Sequence, residues 1–513
     1  MSAAVLLVAL VAWPLIGAAL IAVLGRSGEG DSSSGIDART LALGVFGLEA
    51  VLAIVLAVSV HATGSAWLAT ADAAWIPEIG ARFSLGADSF ALVMVVMSAL
   101  VLPFSLLATW NEVAKRRPAY FACLSAVASG LMGVFLARDL LLFYVAWELL
   151  LIPMYFVVGV WGGTAAPRAA LKYFIVTTLG SLLMLVAVVY VWNAAGGISF
   201  AYDALAAARM SDAAARWCLA AFLLAFLVKA PLLPLHSWLP DAQREAPTMG
   251  ALALGLKVST FAIARVALPL FPAAALAEPM RGTIVALAVA GIIYGALLAV
   301  VQPDLKRLVS YASISHVGLV LLALFAFTPT GAQGAMLLMI NLGITTSALF
   351  ILVGIVGAQR GTFAIESLGG VATQAPLLAT AFIIVTMSAI GLPATNGFIG
   401  ELLSFLGSWR VYPVPTLVAI VGVVLAAVYL LSAMQRVVFT ASADVRPFRD
   451  LDLRQSIAMG AFVLAIVWLG IGSAPMMRML APAAERIAAR QLPEGRVNFQ
   501  GDGPVALGTE GAR

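Results

Sequence analysis

A chain of 513 residues with 63% hydrophobic and only 11% charged side chains lies far outside the soluble globular range, in which about 25% of residues are charged. Its mean hydropathy of +1.05 marks an integral membrane protein. The net charge of +4 is small and scattered, and without a basic block or interleaved aromatics it excludes a nucleic-acid-binding surface.

Cys123 and Cys218 sit in apolar runs and lack the spacing of a disulfide frame or a zinc site. No dinucleotide fingerprint, phosphate loop, iron–sulfur cysteine run or haem motif is present, so neither a redox cofactor nor a metal is expected in this chain. Met1 to Leu24 has no positively charged leader region and reads as a first span instead of a cleaved signal.

Apolar runs of spanning length divide the chain into fourteen candidate membrane helices, an all-α membrane fold. They cover 3–24, 40–62, 88–109, 119–138, 139–162, 170–194, 213–236, 248–270, 281–301, 307–328, 332–358, 376–408, 412–440 and 455–474. Between the second and third, Trp75 to Gly86 reads as an extended surface hairpin. Phe200 to Asp212 reads as a short interfacial helix and Ala481 to Arg490 as an amphipathic one, with a loose glycine-rich tail after Leu492. Odd-numbered connections carry fourteen Lys and Arg residues against six in the even-numbered ones. Because positive loops stay cytoplasmic, both termini are expected outside the cytoplasm.

The stretch around which the chain is organised is Leu227-Val228-Lys229-Ala230-Pro231-Leu232-Leu233-Pro234-Leu235-His236. An ammonium near the bilayer centre costs roughly 2.5–3.5 kcal/mol even on insertion scales. Pro231 and Pro234 lack N–H groups, so a continued helix would deprive the carbonyls of Leu227 and Ala230 of their donors. Broken backbone at this depth is tolerated where it lines a hydrated cavity, which points to Lys229 as a proton-handling group beside internal water. A second break, Gly391-Leu392-Pro393-Ala394-Thr395-Asn396-Gly397, lies five spans further on. That spacing suits two five-helix units of opposite orientation, as in transporters built on inverted repeats. The division reads as 1–118, N-terminal helices with the hairpin; 119–270 and 281–440, the two repeats; and 441–513, a last helix with an amphipathic tail.

Of five lysines in the chain, Lys229 and Lys257 fall inside candidate spans. Lysine releases its proton readily on burial, whereas arginine keeps it. Glu148, near the midpoint of the fifth span, is the natural partner for Lys229; an ion pair that opens would be a switch, and one that stays shut only a registry device. Glu401 follows the second break. His236 lies seven residues after Lys229, and His316 sits among the hydroxyls of Ser310, Ser313 and Ser315; either can relay protons or be a satisfied core histidine. His61 reads as interfacial, Glu49 as a buried group without an evident partner, and Arg138 and Asp139 as capping and anchoring groups between tightly joined spans.

Taken with Arg138 to Glu148, the lysine–proline stretch through Ala242, Glu245-Ala246-Pro247-Thr248, Ser310 to His316 and Gly391 to Glu401, the sequence resembles the antiporter-like membrane subunits of bacterial NADH-quinone oxidoreductase, respiratory complex I. The likeness spans roughly residues 75 to 440. A glutamate at Glu401 resembles subunit M, since the sister subunits and sodium/proton antiporter relatives usually carry lysine there.

The resemblance implies fourteen helices, two inverted repeats and a proton path through the membrane midplane. In it Glu148 and Lys229 form the input pair, Lys257 is the central lysine and Glu401 the terminal glutamate. NADH, flavin, iron–sulfur clusters and quinone would then belong to partner subunits, together with the sister antiporter-like subunits. Two positions depart from the pattern: Leu342 follows Asn341 where histidine is common, and Gln243 stands where histidine is frequent.

The expected function is therefore proton translocation coupled to quinone reduction in partner subunits, in the bacterial inner membrane. The rivals are a subunit of a multisubunit sodium/proton antiporter or membrane-bound hydrogenase, a stand-alone solute transporter, and a non-pumping structural member of the membrane arm.

Overall fold

The structure is a computed structural model that describes residues 2–27, 35–60, 67–440 and 447–489. His61 and the tail after Leu492 lie outside these described residues. Two N-terminal spans, α1 (Ala3–Leu24) and α2 (Ala38–Ser59), lead into an antiparallel hairpin of β1 (Ala69–Ile76) and β2 (Ala81–Ala87). The hairpin is thus longer than the expected Trp75–Gly86, because the strand alternation begins six residues earlier.

Spans α3 (Ser89–Ala108) and α4 (Arg117–Leu136) follow, then α5 (Leu140–Leu149), α6 (Leu151–Trp161) and α7 (Ala166–Ala194). The interfacial helix shortens to α8 (Tyr202–Ala206). α9 (Asp212–Lys229) ends on the organising lysine, and α10 (Trp238–Glu245) follows the proline turn. Next come α11 (Thr248–Gly255) and α12 (Val258–Ala262), the latter continued by a π-helical turn at Ile263–Ala267. The second half comprises α13 (Glu278–Val300), α14 (Leu305–Phe325), α15 (Pro329–Arg360), α16 (Pro376–Ile390), α17 (Asn396–Trp409), α18 (Pro413–Met434) and α19 (Leu453–Ile471). The last element, α20 (Ala474–Ala489), begins earlier than the expected Ala481.

Twelve spans among the described residues are long and apolar enough to cross a membrane, or thirteen if the bent pair Ile365–Gln374 and Pro376–Ile390 counts as one. The fourteen expected from sequence differ from this at the interrupted elements. α9 carries Asp212, Arg216 and Lys229 within 18 residues, and the twelfth candidate is divided into α16 and α17.

α14 and α15 form the centre of the bundle: their apolar stretches are almost wholly buried, whereas most residues of α19 and α1 reach the outer surface. The outer helices present leucine, valine and isoleucine outward, as lipid-facing surfaces do. α17 lies directly on α15, and at one close approach glycine meets glycine, where a Cβ on Gly407 would overlap the backbone of Gly331. Small residues permit such contact between spanning helices.

Side chains from distant loops close the helix ends. Asp139 accepts the N–H groups of Leu141 and Leu142 at 3.0 Å each and that of Arg82 in the hairpin at 3.1 Å, fulfilling its expected capping role. Glu112, from the α3–α4 connection, accepts both the N–H and the hydroxyl of Thr248 at 2.8 Å and so caps α11. Asp450 accepts the N–H groups of Leu377 and Leu378 at the start of α16.

The connections sort onto two faces. Odd-numbered ones supply Glu112, Gly163, Arg244, Glu245, Lys306 and Phe363 around a polar hollow of about 400 Å3. Even-numbered ones supply Trp67, Asp88 and Tyr202, joined by Arg265 from the π-helical turn after α12 and Arg486 from α20, around a smaller one of about 80 Å3.

Candidate functional site

Glu148, Lys229, Lys257 and Glu401 each stand at or beside an interruption of helix, whereas Glu49 and His316 lie within unbroken ones. Glu148 lies two residues before the α5–α6 joint at Leu150, and Pro153 just beyond it removes the donor that the Leu149 carbonyl would otherwise receive. Lys229 is the final residue of α9. Lys257 occupies the gap between α11 and α12 and is 5% exposed. Glu401 lies on α17 just beyond the Gly391–Thr395 break and is 7% exposed.

At the α9 break the backbone is rewired. Leu232 N–H turns to the Leu227 carbonyl at 3.1 Å, so that carbonyl keeps a donor after all, and the indole N–H of Trp238 donates to the Val228 carbonyl at 2.8 Å.

The Lys229 ammonium donates to the Trp147 carbonyl at 3.0 Å and rests 3.9 Å from the centre of the Trp147 ring. It forms no ion pair with Glu148, although the Glu148 charge is felt at Lys229. Oε1 of Glu148 is buried without a hydrogen-bond partner, so the expected input pair stands open.

Lys229 also lies between two cavities. One of about 40 Å3 is lined by Tyr173, Trp238 and Ser259. The other, of about 10 Å3, is shared with Lys257, Thr260 and Ser313, and has room for about one water. Beyond it, the Lys257 ammonium donates to Ser313 Oγ at 2.8 Å. His316, one turn further along α14 and 7% exposed, feels the charge of Lys257.

His236 stands apart from this line. Its ring packs 5.3 Å from that of Tyr294 and 6.4 Å from that of Tyr311, and its Nδ1 is buried without a partner. Nearby, Asp241 joins Lys172 at 2.8 Å and Arg307 at 2.9 Å, a bridge between α7, α10 and α14 that nothing in the local sequence announces.

Glu401 packs its carboxylate against Gly391, which ends α16 at φ +79°; a Cβ there would overlap the carboxylate. The Tyr429 hydroxyl, buried without a partner, faces the same region and feels the Glu401 charge. On α15, α16 and α17 a hydrogen-bonded cluster escaped the sequence reading. Ser388 Oγ donates to Asn396 Oδ1 at 2.5 Å and contacts Thr345 Oγ1 at 2.8 Å, while Asn341 donates its amide to the Asn396 carbonyl. Leu342, at the departure from the family pattern, is buried beside it. Glu49 is 0% exposed on α2, with neither carboxylate oxygen hydrogen-bonded.

The model of the NADH:quinone oxidoreductase/Mrp antiporter transmembrane family matches residues 137–428. The chain belongs to that family. Glu148, Lys229, His236, Lys257, His316 and Glu401 all fall inside the matched segment. The NADH-quinone oxidoreductase subunit M of Rickettsia typhi is 35% identical over 402 residues, covering 77% of this chain and 81% of its own length. That of Pseudomonas aeruginosa is 36% identical over 469 residues, covering 86% and 91%. A chain of respiratory complex I from Thermus thermophilus, solved with bound NADH, superposes with a TM-score of 0.87 at 31% identity, over 95% of this chain and all of that one.

Proposed function

We propose that this protein is the proton-translocating M-type membrane subunit of a bacterial NADH-quinone oxidoreductase, driven by quinone reduction in partner subunits that carry NADH, flavin, iron–sulfur clusters and quinone, with no redox cofactor in this chain. The observation that carries the reading is the cavity shared by Lys229 and Lys257, which gives a part-buried and a buried lysine one water-sized space between them. A proton released from Lys229 meets Lys257 and Ser313 at the shared cavity, then passes to His316 and, beyond the amide–hydroxyl cluster, to Glu401 as the terminal acceptor. Glu148 sets the proton affinity of Lys229 by approaching or withdrawing, since an opposite charge within about 4–6 Å favours the ionised lysine. His236, beside Tyr294 and Lys172, serves water on the uptake side and not the central line.

The reading extends to architecture. Residues 119–270 and 281–440 act as two inverted repeats, each with one broken helix, flanked by 1–118 and 441–513. The polar 400 Å3 hollow gathers odd-numbered connections, which hold most of the Lys and Arg residues, so that face is cytoplasmic and both termini lie on the other side. The partners are sister antiporter-like subunits and the lipid of the inner membrane.

The test is proton pumping by the complete complex in proteoliposomes. Glu148→Ala and Lys229→Ala are expected to leave assembly largely intact while lowering coupled turnover and pumping. Normal pumping in both variants contradicts the proposal.

A further inference from the structure

In the open arrangement the Lys229 ammonium is not left bare, because two features of one residue receive it: the carbonyl of Trp147 at 3.0 Å and the face of its indole at 3.9 Å. That residue is the immediate neighbour of Glu148, so the two resting places available to the ammonium are adjacent on one helix. The indole itself is held fast. It is 1% exposed, stacked 5.8 Å from the Phe143 ring and edge-on 5.0 Å from the Phe226 ring. Lys229, by contrast, ends α9 on the edge of the proline turn, where the helix no longer continues beyond it. The lysine side chain is therefore the movable partner and the tryptophan the fixed one.

We propose that Trp147 is the second docking position of a two-position switch. The Lys229 ammonium exchanges between an ion pair with Glu148 and the carbonyl and ring face of Trp147, and the latter position presents it to the cavity shared with Lys257. This inference rests on the proton-transfer role given to Lys229 above and adds a positioning residue to it. No bond other than N–H is made or broken: the ammonium keeps its proton on moving to Trp147 and yields it to water in the shared cavity, leaving a neutral amine. A cation over an indole is stabilised through the ring quadrupole, and a carbonyl accepts from an ammonium more strongly than from a neutral donor. The seat is thus strong enough to compete with a carboxylate that is itself partly desolvated, yet carries no charge to trap the proton.

The experiment uses the assembled complex in proteoliposomes, with Trp147 replaced by mono- through tetrafluorotryptophan and by Trp147→Phe, each also combined with Lys229→Met. Fluorination weakens the negative face of the ring while nearly preserving its shape. Proton pumping is expected to fall stepwise with fluorine number, by about two- to tenfold across the series, and the series is expected to be flat once Lys229→Met has removed the ammonium.

Pumping unaffected by fluorination in the otherwise unaltered chain overturns the docking role, as does a fall of the same size in the Lys229→Met background, which would mean that Trp147 acts by packing. Normal pumping by Lys229→Met alone overturns the underlying reading, an outcome distinct from either.

Discussion

Lys229 and Lys257 line a single cavity with room for about one water, although one closes a helix and the other bridges two. Two ammonium groups facing so small a space repel one another, and a proton arriving on one makes the other's less comfortable. The arrangement depends on both helices being interrupted, since an unbroken span would leave no free backbone or space for water at that depth.

Among the described residues, Ser313 is the one side-chain acceptor hydrogen-bonded to Lys257, at 2.8 Å. Ser313→Ala is expected to cost about 1.5–3 kcal/mol of stability, the range for a hydrogen bond to a charged group, and to lower pumping, while Ser313→Thr retains both. Thermal melting and proteoliposome pumping of the three proteins check this; equal pumping by Ala and Thr variants would remove Ser313 from the path.

Gly391 serves two purposes that substitution can separate. Its φ of +79° is costly for residues with a Cβ, by roughly 1–2 kcal/mol, and asparagine tolerates it better than alanine. Its bare Cα also makes room for the Glu401 carboxylate, which any Cβ would displace. Gly391→Ala and Gly391→Asn are therefore both expected to impair pumping. Should asparagine restore full activity, backbone conformation alone is what the glycine provides.

Asp450 caps α16 from another part of the chain. Burial opposes its ionisation, but the backbone N–H groups of Leu377, Leu378 and Leu451 outweigh that and hold the carboxyl below the usual range. A carboxyl with a depressed folded pKa adds stability above its unfolded pKa, and that contribution disappears as the pH falls through the folded one. Asp450→Ala is thus expected to lower stability by about 1 kcal/mol at pH 6–8, with the difference from the unaltered protein closing below about pH 4. Melting curves of both proteins across that interval provide the check.

The membrane class, most spans and the two major breaks were legible because lysine, proline and glycine in an apolar run are conspicuous. The joints at Leu150 and at Leu256–Lys257 were not. At the first, Pro153 was the available signal, read as part of an unbroken span. At the second, α11 and α12 contain no proline, and the sequence Gly255-Leu256-Lys257 does not reveal that the chain turns extended at Leu256 (φ −63°, ψ 137°).

Glu148 and Lys229 were legible as candidate partners, but not whether the pair is closed, since two residues suitable for pairing do not reveal that the backbone offers the ammonium the Trp147 carbonyl instead. Asp241 with Lys172 and Arg307, and Ser388 with Thr345 and Asn396, are assembled from three helices each. Periodicity within one segment carries no trace of such meetings.

Trp238 supplies the final test, because it repairs the break that makes the site possible. Once Leu232 N–H has turned to Leu227, the Val228 carbonyl has only the Trp238 indole N–H, at 2.8 Å, in place of its helical donor. The ring is 1% exposed and also lines the larger cavity at Lys229, so the same residue fixes the end of α9 and walls one of the two spaces beside the lysine. Trp238→Phe preserves much of the packing and removes the donor, leaving a buried acceptor unsatisfied at a cost of about 1–3 kcal/mol. The carbonyl then has two remedies, water drawn in from the cavity or a shift of α9 that moves Lys229. Hydrogen exchange at Phe226 to Leu232 is expected to rise and pumping to fall together. Exchange that rises without loss of pumping would show that the position of Lys229 does not depend on this repair.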